Sequence, residues 1–595
     1  MFSFESPSAK AAGVVANVFA LFFSIFLMIL PGQAEQADSA DVQAIYRRGY
    51  VALQQRNLKA ALAAFEQVVK LSPRSPEGHN SLGFVLLQLG KAERAEAHLR
   101  RAITLQPDFY QAHSNLAQTL ASQGKLDQAI TEFRKARELA PNDAEAHRLL
   151  GLALIAAGDL EGAITELRSA AQLAPDRAEI HDEVGNALAQ NLRWEDAARH
   201  FREAIRLQPD FAEAHFHLGV VHWRRGDLEA AVAELETALR LRPHHADSNY
   251  YLGRVYEQKG DRAEAIRYLQ AAAKLNPDSA ELQNRLGLLL QHSGEVEAAI
   301  GAFRQALKLN PDDPEVHNNL GLALVQHGDA DAGIEEFRAA LGLNPKDPGF
   351  RNNLGIALMQ KADFDSAIAE YRAAIELAPQ NAELHYNLGL ALKFKDRLEE
   401  AIAEFQKARE LDPDLADIHY SLGVTFWQKG EFAQAADELR AALRAKPDYA
   451  EAHYTLGTVL KQMGNPEEAA SALREAIRLQ PDFAGAHTTL ASVLRQLGDT
   501  AGAAAEMRQA AEITQSKTNR QSATFATNFG AKLLSGGDIE GAIAQFESAL
   551  KLAPDYAPAH FQLGLALRRK GDHERARAEF QKATALDPRL KPPSE

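Results

Sequence analysis

Eleven histidines recur on a 34-residue beat with a single slip of five: His79, His113, His147, His181, His215, His317, His385, His419, His453, His487 and His560. Imidazoles at a fixed interval are the raw material of a metal ladder or a relay of proton carriers. The interval itself argues against the ladder. One histidine per beat, with successive beats about a helix diameter of ~10 Å apart, leaves no two rings able to share an ion bound at ~2 Å. These side chains are therefore expected to pack, half-buried, between helices. The tighter group His215, His217 and His222 fails on direction, because residues two apart point to different sides of a helix.

A second set carries another chemistry: Asn284, Asn318, Asn319, Asn352, Asn353, Tyr386, Asn387, Tyr420 and Tyr454. Amides pair with a peptide backbone whatever its sequence, and tyrosine adds flat apolar area with a hydrogen-bonding tip. These nine residues are the candidate contacts for an extended polypeptide, although the same residue types also serve packing within helical hairpins. Carboxylates such as Asp261, Glu264, Glu399 and Glu400 fall where helices are expected to face water. No phosphate-binding glycine loop, dinucleotide fingerprint, nucleophile elbow or HExxH pair occurs. The chain has no cysteine, which excludes thiolate ligands, disulfides and a cysteine nucleophile. Neither catalytic residues nor a cofactor nor a metal site is expected.

Acidic residues outnumber basic ones by 80 to 65, a net charge of −15. No Lys/Arg block is long enough to neutralise a run of phosphates, so nucleic acid is not an expected partner. With 46 % apolar and 24 % charged residues, the 595-residue chain has the composition of a folded protein.

Ala11 to Leu30 is a run of twenty residues without a charge, long enough to cross a bilayer as one helix. Gly32 and Ala34 are small residues placed for cleavage after Ala34, so residues 1–34 are expected to be either a signal peptide or a retained anchor. Lys10 precedes the run and Glu35, Asp38 and Asp41 follow it. That bias puts everything beyond residue 35 outside the cytoplasm, periplasmic or secreted, tied to the inner membrane if residues 11–30 are kept.

The elements that must position the candidate residues are set by a repeat. Prolines fall every 34 residues from Pro73 to Pro481 and resume at Pro554 and Pro588, with one beat missing at Gln515. Numbering each unit so that this proline is position 32 gives sixteen units from Val42 to residue 590. Position 8 is Gly in fourteen units and Ala in two (Ala117, Ala491), position 20 is Ala in all but one (Gly333), and position 27 is Ala in all but one (Val68). Such small residues let two helices approach closely. Large apolar residues sit between them at positions 7, 11 and 24, on the three-and-four spacing of one helix face. Gly at position 15 in twelve units breaks the run, and the proline stops the second stretch. Each unit therefore reads as helix, turn, helix, turn.

Leu354-Gly355, Leu358, Ala367, Tyr371, Ala374 and Pro379 show the spacing L-G-x-x-L, A-x-x-x-F-x-x-A, P, which resembles the tetratricopeptide repeat. The resemblance implies an all-α fold, a right-handed solenoid of antiparallel helix pairs whose first helices line a concave groove. It departs from the family at position 4, usually Trp and here mostly His. The wording AEAH and NLG also resembles the repeat domain of O-linked N-acetylglucosamine transferase; only a few residues follow the last repeat, so transferase activity is not implied. The expected organisation is a leader over 1–34, a linker over 35–41, repeats one to fourteen over 42–522, and repeats fifteen and sixteen with a short tail over 523–595. Arg577 and Thr584, where other units carry apolar residues, read as a polar cap on the last repeat. Glu512 to Asn528 lacks both Pro and Gly and holds five extra residues, so the second helix of the fourteenth unit can run on into the next. That segment is a hinge or partner surface on one reading and a neutral insertion on the other.

The family places positions 2, 5, 6, 9, 12 and 13 toward the groove, where the nine Asn and Tyr residues fall. The expected function is a non-catalytic scaffold binding a peptide or protein segment there; the alternative is a chaperone-like or assembly subunit of an envelope secretion or polysaccharide-export complex.

Overall fold

The computed structural model describes residues 40–592. The leader expected over 1–34 lies outside them; among the described residues no helix is long and apolar enough to cross a membrane. Within the described residues the chain forms thirty-one α-helices and no strand. The first helix begins at Ala40, inside the stretch expected as linker.

Apart from one, the helices are 13 to 15 residues long and alternate as first and second members of antiparallel hairpins, as in Ala178–Gln190 followed by Trp194–Leu207. The turn inside each hairpin requires one residue in the left-handed region. Twelve glycines supply it, from Gly90 (φ 70°) to Gly571 (φ 93°), while Arg56, Leu192, Ala362 and Asp396 adopt it with a side chain at φ 57° to 60°. The second helix ends where the residue before the recurring proline turns extended, as at Ser72 (φ −126°, ψ 75°).

Position 8 is where the two helices of a hairpin touch. A Cβ on Gly355 would stand 2.5 Å from Tyr371 Cε1, and one on Gly185 would stand 2.6 Å from Phe201 Cε1. The ring at position 24 thus lies flat against the backbone of its own first helix. Phe65, Phe201, Phe303, Phe405 and Phe546 are fully buried there, each stabilising its hairpin by roughly 1.5–3 kcal/mol through burial.

The contacts divide the chain into two units, Met1–Leu343 and Asn344–Glu595. Hairpin stacks on hairpin within each. In the second unit the regular alternation breaks once, at the 36-residue helix Thr500–Ser535, which carries the irregular segment through in one piece. The expected run-on of one helix into the next is what the structure shows.

Candidate partner-binding groove

The histidines at position 4 lie beside the glutamates at position 23 of the same hairpin. In eight hairpins, from His113 with Glu132 at 2.6 Å to His560 with Glu579 at 2.5 Å, the Nδ1 atom meets the carboxylate. Its Nε2 meets the carbonyl of the proline that closes the preceding hairpin, at 3.0 Å from Pro107 for His113 and 2.8 Å from Pro554 for His560. A carbonyl can only accept, so Nε2 donates to it, and the imidazole is held from both ends. Burial opposes a charge on His113, but the Glu132 carboxylate and the Pro107 carbonyl outweigh it and raise its pKa. Each such histidine is a clamp between neighbouring hairpins. Arg351 does the same work with Glu370 and Pro345. Where position 23 is itself histidine the clamp changes character: His79 meets His98 at 3.0 Å and His181 meets His200 at 3.3 Å. Burial, and then the neighbouring His181 ring, hold His200 down to about 4. Of the tighter group, His217 bonds Asp182 (2.8 Å) and His222 bonds Asp227 (3.4 Å). Among the described residues no three acidic, His or Cys side chains converge as metal ligands.

Positions 5 and 6 form a second ladder. A side chain at position 5 bonds the one at position 6 of the next hairpin, 35 residues on: Asn115 Nδ2 donates to Asn80 (2.9 Å), Asn319 to Asn284 (3.2 Å), Asn387 to Asn352 (2.9 Å), and Ser421 to the Tyr386 hydroxyl (3.3 Å). Asn352 also donates to Glu383 (3.1 Å) and is buried. Asn318 and Asn353 are half-buried. Tyr420 packs on Tyr449 (ring centroids 4.9 Å) and Tyr454 on Phe483 (4.7 Å). In the first unit the structure brings together Asn284 and Asn319, and in the second Asn352 and Asn387. The amides therefore bond one another first and offer a partner only their remaining capacity.

The same ladder carries charge between residues 145 and 217. Arg148, 2 % exposed, donates to Glu145 (2.8 Å) and to Glu183 (2.5 Å). Burial pushes the Glu183 carboxyl up to about 7 against the pull of Arg148. Burial also opposes the charge on His217, and Asp182 prevails, raising that ring's pKa.

The open apolar surface lies elsewhere on the first-helix face. Ile356, Met359, Gln360, Tyr371, Asn387, Leu390 and Phe394 line a cavity of about 290 Å³ between Pro348–Gln360 and Ala382–Phe394. Phe394 is 65 % exposed, stacked on Phe364 with ring centroids 5.3 Å apart. Of these, Asn387 was a candidate from the sequence, whereas Ile356, Met359, Leu390 and Phe394 were passed over, yet a signal was there: position 13 is Gln in nine units and Phe only at Phe394. Lys393, beside it and half-buried, has its pKa lowered by burial.

Comparison with known proteins bears on the repeat as a whole. Family models described as tetratricopeptide repeat match residues 46–110, 185–246, 223–280, 250–314, 284–348, 454–517 and 529–590, with further matches at 86–153 and 144–169. A model described as TPR repeat matches 357–393, 395–430 and 426–464. Similar solved structures include the APC/C hetero-tetramer Cut9–Hcn1, at 16 % identity over 76 % of this chain and 96 % of that one with a TM-score of 0.36. MamA is 28 % identical over 28 % of this chain and 96 % of its own, TM-score 0.27. YrrB, described as a TPR protein with an unusual peptide-binding site, is 24 % identical over 31 % of this chain and 95 % of its own, TM-score 0.28. No curated protein matches the sequence.

Proposed function

The chain belongs to the tetratricopeptide repeat family, and from that premise we propose that it is a non-catalytic scaffold which holds an extended peptide or protein segment on the first-helix face of its second unit. The observation that carries this reading is the cavity at Ile356, Met359, Leu390 and Phe394: an exposed aromatic ring and an apolar recess stand beside the Asn387 amide. A large side chain of the partner fills the recess, and the Asn352–Asn387 pair orients the chain that carries it. Such a site recognises an extended segment through one anchor and a few polar contacts.

The array comprises sixteen repeats in this reading, two of them sharing the helix Thr500–Ser535. Residues 1–34 serve as signal or anchor and the repeats work outside the cytoplasm, a placement supported by the charge bias around Ala11 to Leu30. Protease added to intact cells or spheroplasts then digests the repeats; digestion only after lysis would refute the placement.

The binding site is tested by Phe394→Asp, a change at an exposed position that leaves the helical core intact. Affinity capture from native membranes is expected to recover the partner with the natural chain and to lose it at least tenfold with the variant at unchanged helicity. Equal recovery by the folded variant would move the site off this cavity.

A further inference from the structure

In a regular stack, the face of each first helix that carries positions 3 and 7 is covered by the second helix of the hairpin before it. The register is visible at Gly78, position 3, where a Cβ would stand 3.0 Å from Val68 Cγ1, position 27 of the preceding hairpin. Ile180, Leu282, Leu384 and Ile418 at position 3 are at most 2 % exposed, as are Leu82, Leu218, Leu388 and Leu422 at position 7. The helix Thr500–Ser535 breaks this rule. Its first half is the second helix of one hairpin and its second half the first helix of the next, and two halves of one continuous helix cannot fold back on each other.

The consequence is bare apolar surface on both halves. Phe525 at position 3 is 76 % exposed, Phe529 at position 7 is 45 % exposed, and Met507 at position 24 is 39 % exposed where its counterparts Phe405 and Phe546 are fully buried. The first helix of the first described hairpin is built differently: it carries Ala44 and Arg48 at the same two positions, both exposed. Aromatic side chains at Phe525 and Phe529 suit a covered face.

We propose that the cover is a second copy of this chain, whose own Thr500–Ser535 helix lies antiparallel against the first. The two bare faces of one helix are halves of the interface that an ordinary turn would have closed, so they complement each other across a twofold axis. This is the geometry of an exchanged element, and it makes two identical contacts at once. With Phe525 set opposite Ala510, as Gly78 is set opposite Val68, Phe529 falls beside Met507 and the axis passes between Lys517 and Thr518. Met507, Ala511, Thr514, Thr518, Phe525 and Phe529 share one helical stripe by their spacing. The stripe itself carries no charge, its six residues being apolar or hydroxyl side chains, and residues 513–529 contain no carboxylate. Their two basic residues are engaged elsewhere, Lys517 with Asp482 (3.2 Å) and Arg520 with Asp555 (3.4 Å).

The absence of cysteine from the natural chain makes the test direct. In the full chain, solubilised in mild detergent, Thr518→Cys is expected to give a disulfide-linked dimer under mild oxidation. Gln509→Cys, on the opposite side of the helix, is expected to give none. The natural chain should sediment as twice its 65.1 kDa, and Phe525→Asp with Phe529→Asp should return it to the single mass at unchanged helicity. A monomeric natural chain at micromolar concentration would overturn the proposal and leave the face to a different partner. So would equal cross-linking from residues 518 and 509, a readout that stands even if the double variant fails to fold.

Discussion

A single side chain sets the most specific acid response of the molecule. His200 occupies the position that carries glutamate in eight clamped hairpins, and it is half-buried beside His181, Arg168 and Arg199, with the carboxylates of Asp196 and Glu203 opposing them. Its folded-state pKa, about 4, lies below the free-imidazole value, so the unfolded chain binds the proton more readily. Stability at this hairpin is therefore full above pH ~6.5 and falls as the pH drops from there toward 4. His200→Glu should restore the clamp on His181 and gain on the order of 1–2 kcal/mol at pH 5 after allowance for solvent screening, with little change at pH 8. Denaturant melts of the two forms at both pH values check this; equal acid losses would contradict it. His113 works in the opposite sense, since its raised pKa gives stability that is complete below pH ~6.5 and lost as the pH climbs through the raised value. At this scale the sequence was half legible. Packing histidines were expected, but a glutamate nineteen residues downstream looks like any solvated carboxylate until two helices bring it to 2.6 Å. The candidate amides fell on neighbouring hairpins as spacing suggested, whereas their bonds to one another depend on a register of 35 residues that one repeat read alone cannot show.

At the scale of a hairpin, the close approach of two helices and the turn between them decide stability. Gly355→Val puts branched carbon into the space of Tyr371 and should cost roughly 1–3 kcal/mol. Hydrogen exchange is expected to show the loss in the helices Pro348–Gln360 and Phe364–Leu377 and their stacked neighbours; uniform loss over the whole array would refute a stack held by nearest-neighbour contacts. Leu192 bears the reverse prediction. It holds the left-handed turn at φ 60° and is half exposed, so Leu192→Gly relieves strain with little packing lost and should gain about 1 kcal/mol. A melt showing destabilisation would mean the side chain contributes more than its conformation costs. Helix boundaries were legible because Gly in twelve units and Pro in fifteen of the sixteen punctuate the array. The fused helix was legible for the same reason, through their absence between Glu512 and Asn528. Its bare aromatic face was not, because Phe525 and Phe529 stand at positions 3 and 7, where regular units bury apolar residues, and only the fold shows that the neighbour which would cover them is part of the same helix.

At the largest scale, the same few bonds recur from hairpin to hairpin within both units. Clamps from position 4 and ladders from position 5 are joined by exposed ion pairs such as Lys259–Glu229 (2.9 Å), Lys395–Asp365 (3.0 Å) and Lys570–Glu540 (2.7 Å), which water screens. An array built this way gains specificity where a unit departs from the rule, and Phe394 is such a departure on the first-helix face. That is the central claim: the partner lies on this face, against this ring. A photo-reactive amino acid placed at residue 394 in cells tests it most directly, with residue 372, exposed on a second helix, as the control. The account predicts a discrete cross-linked partner from position 394 and none from position 372. The same adduct from 372, with none from 394, would contradict it.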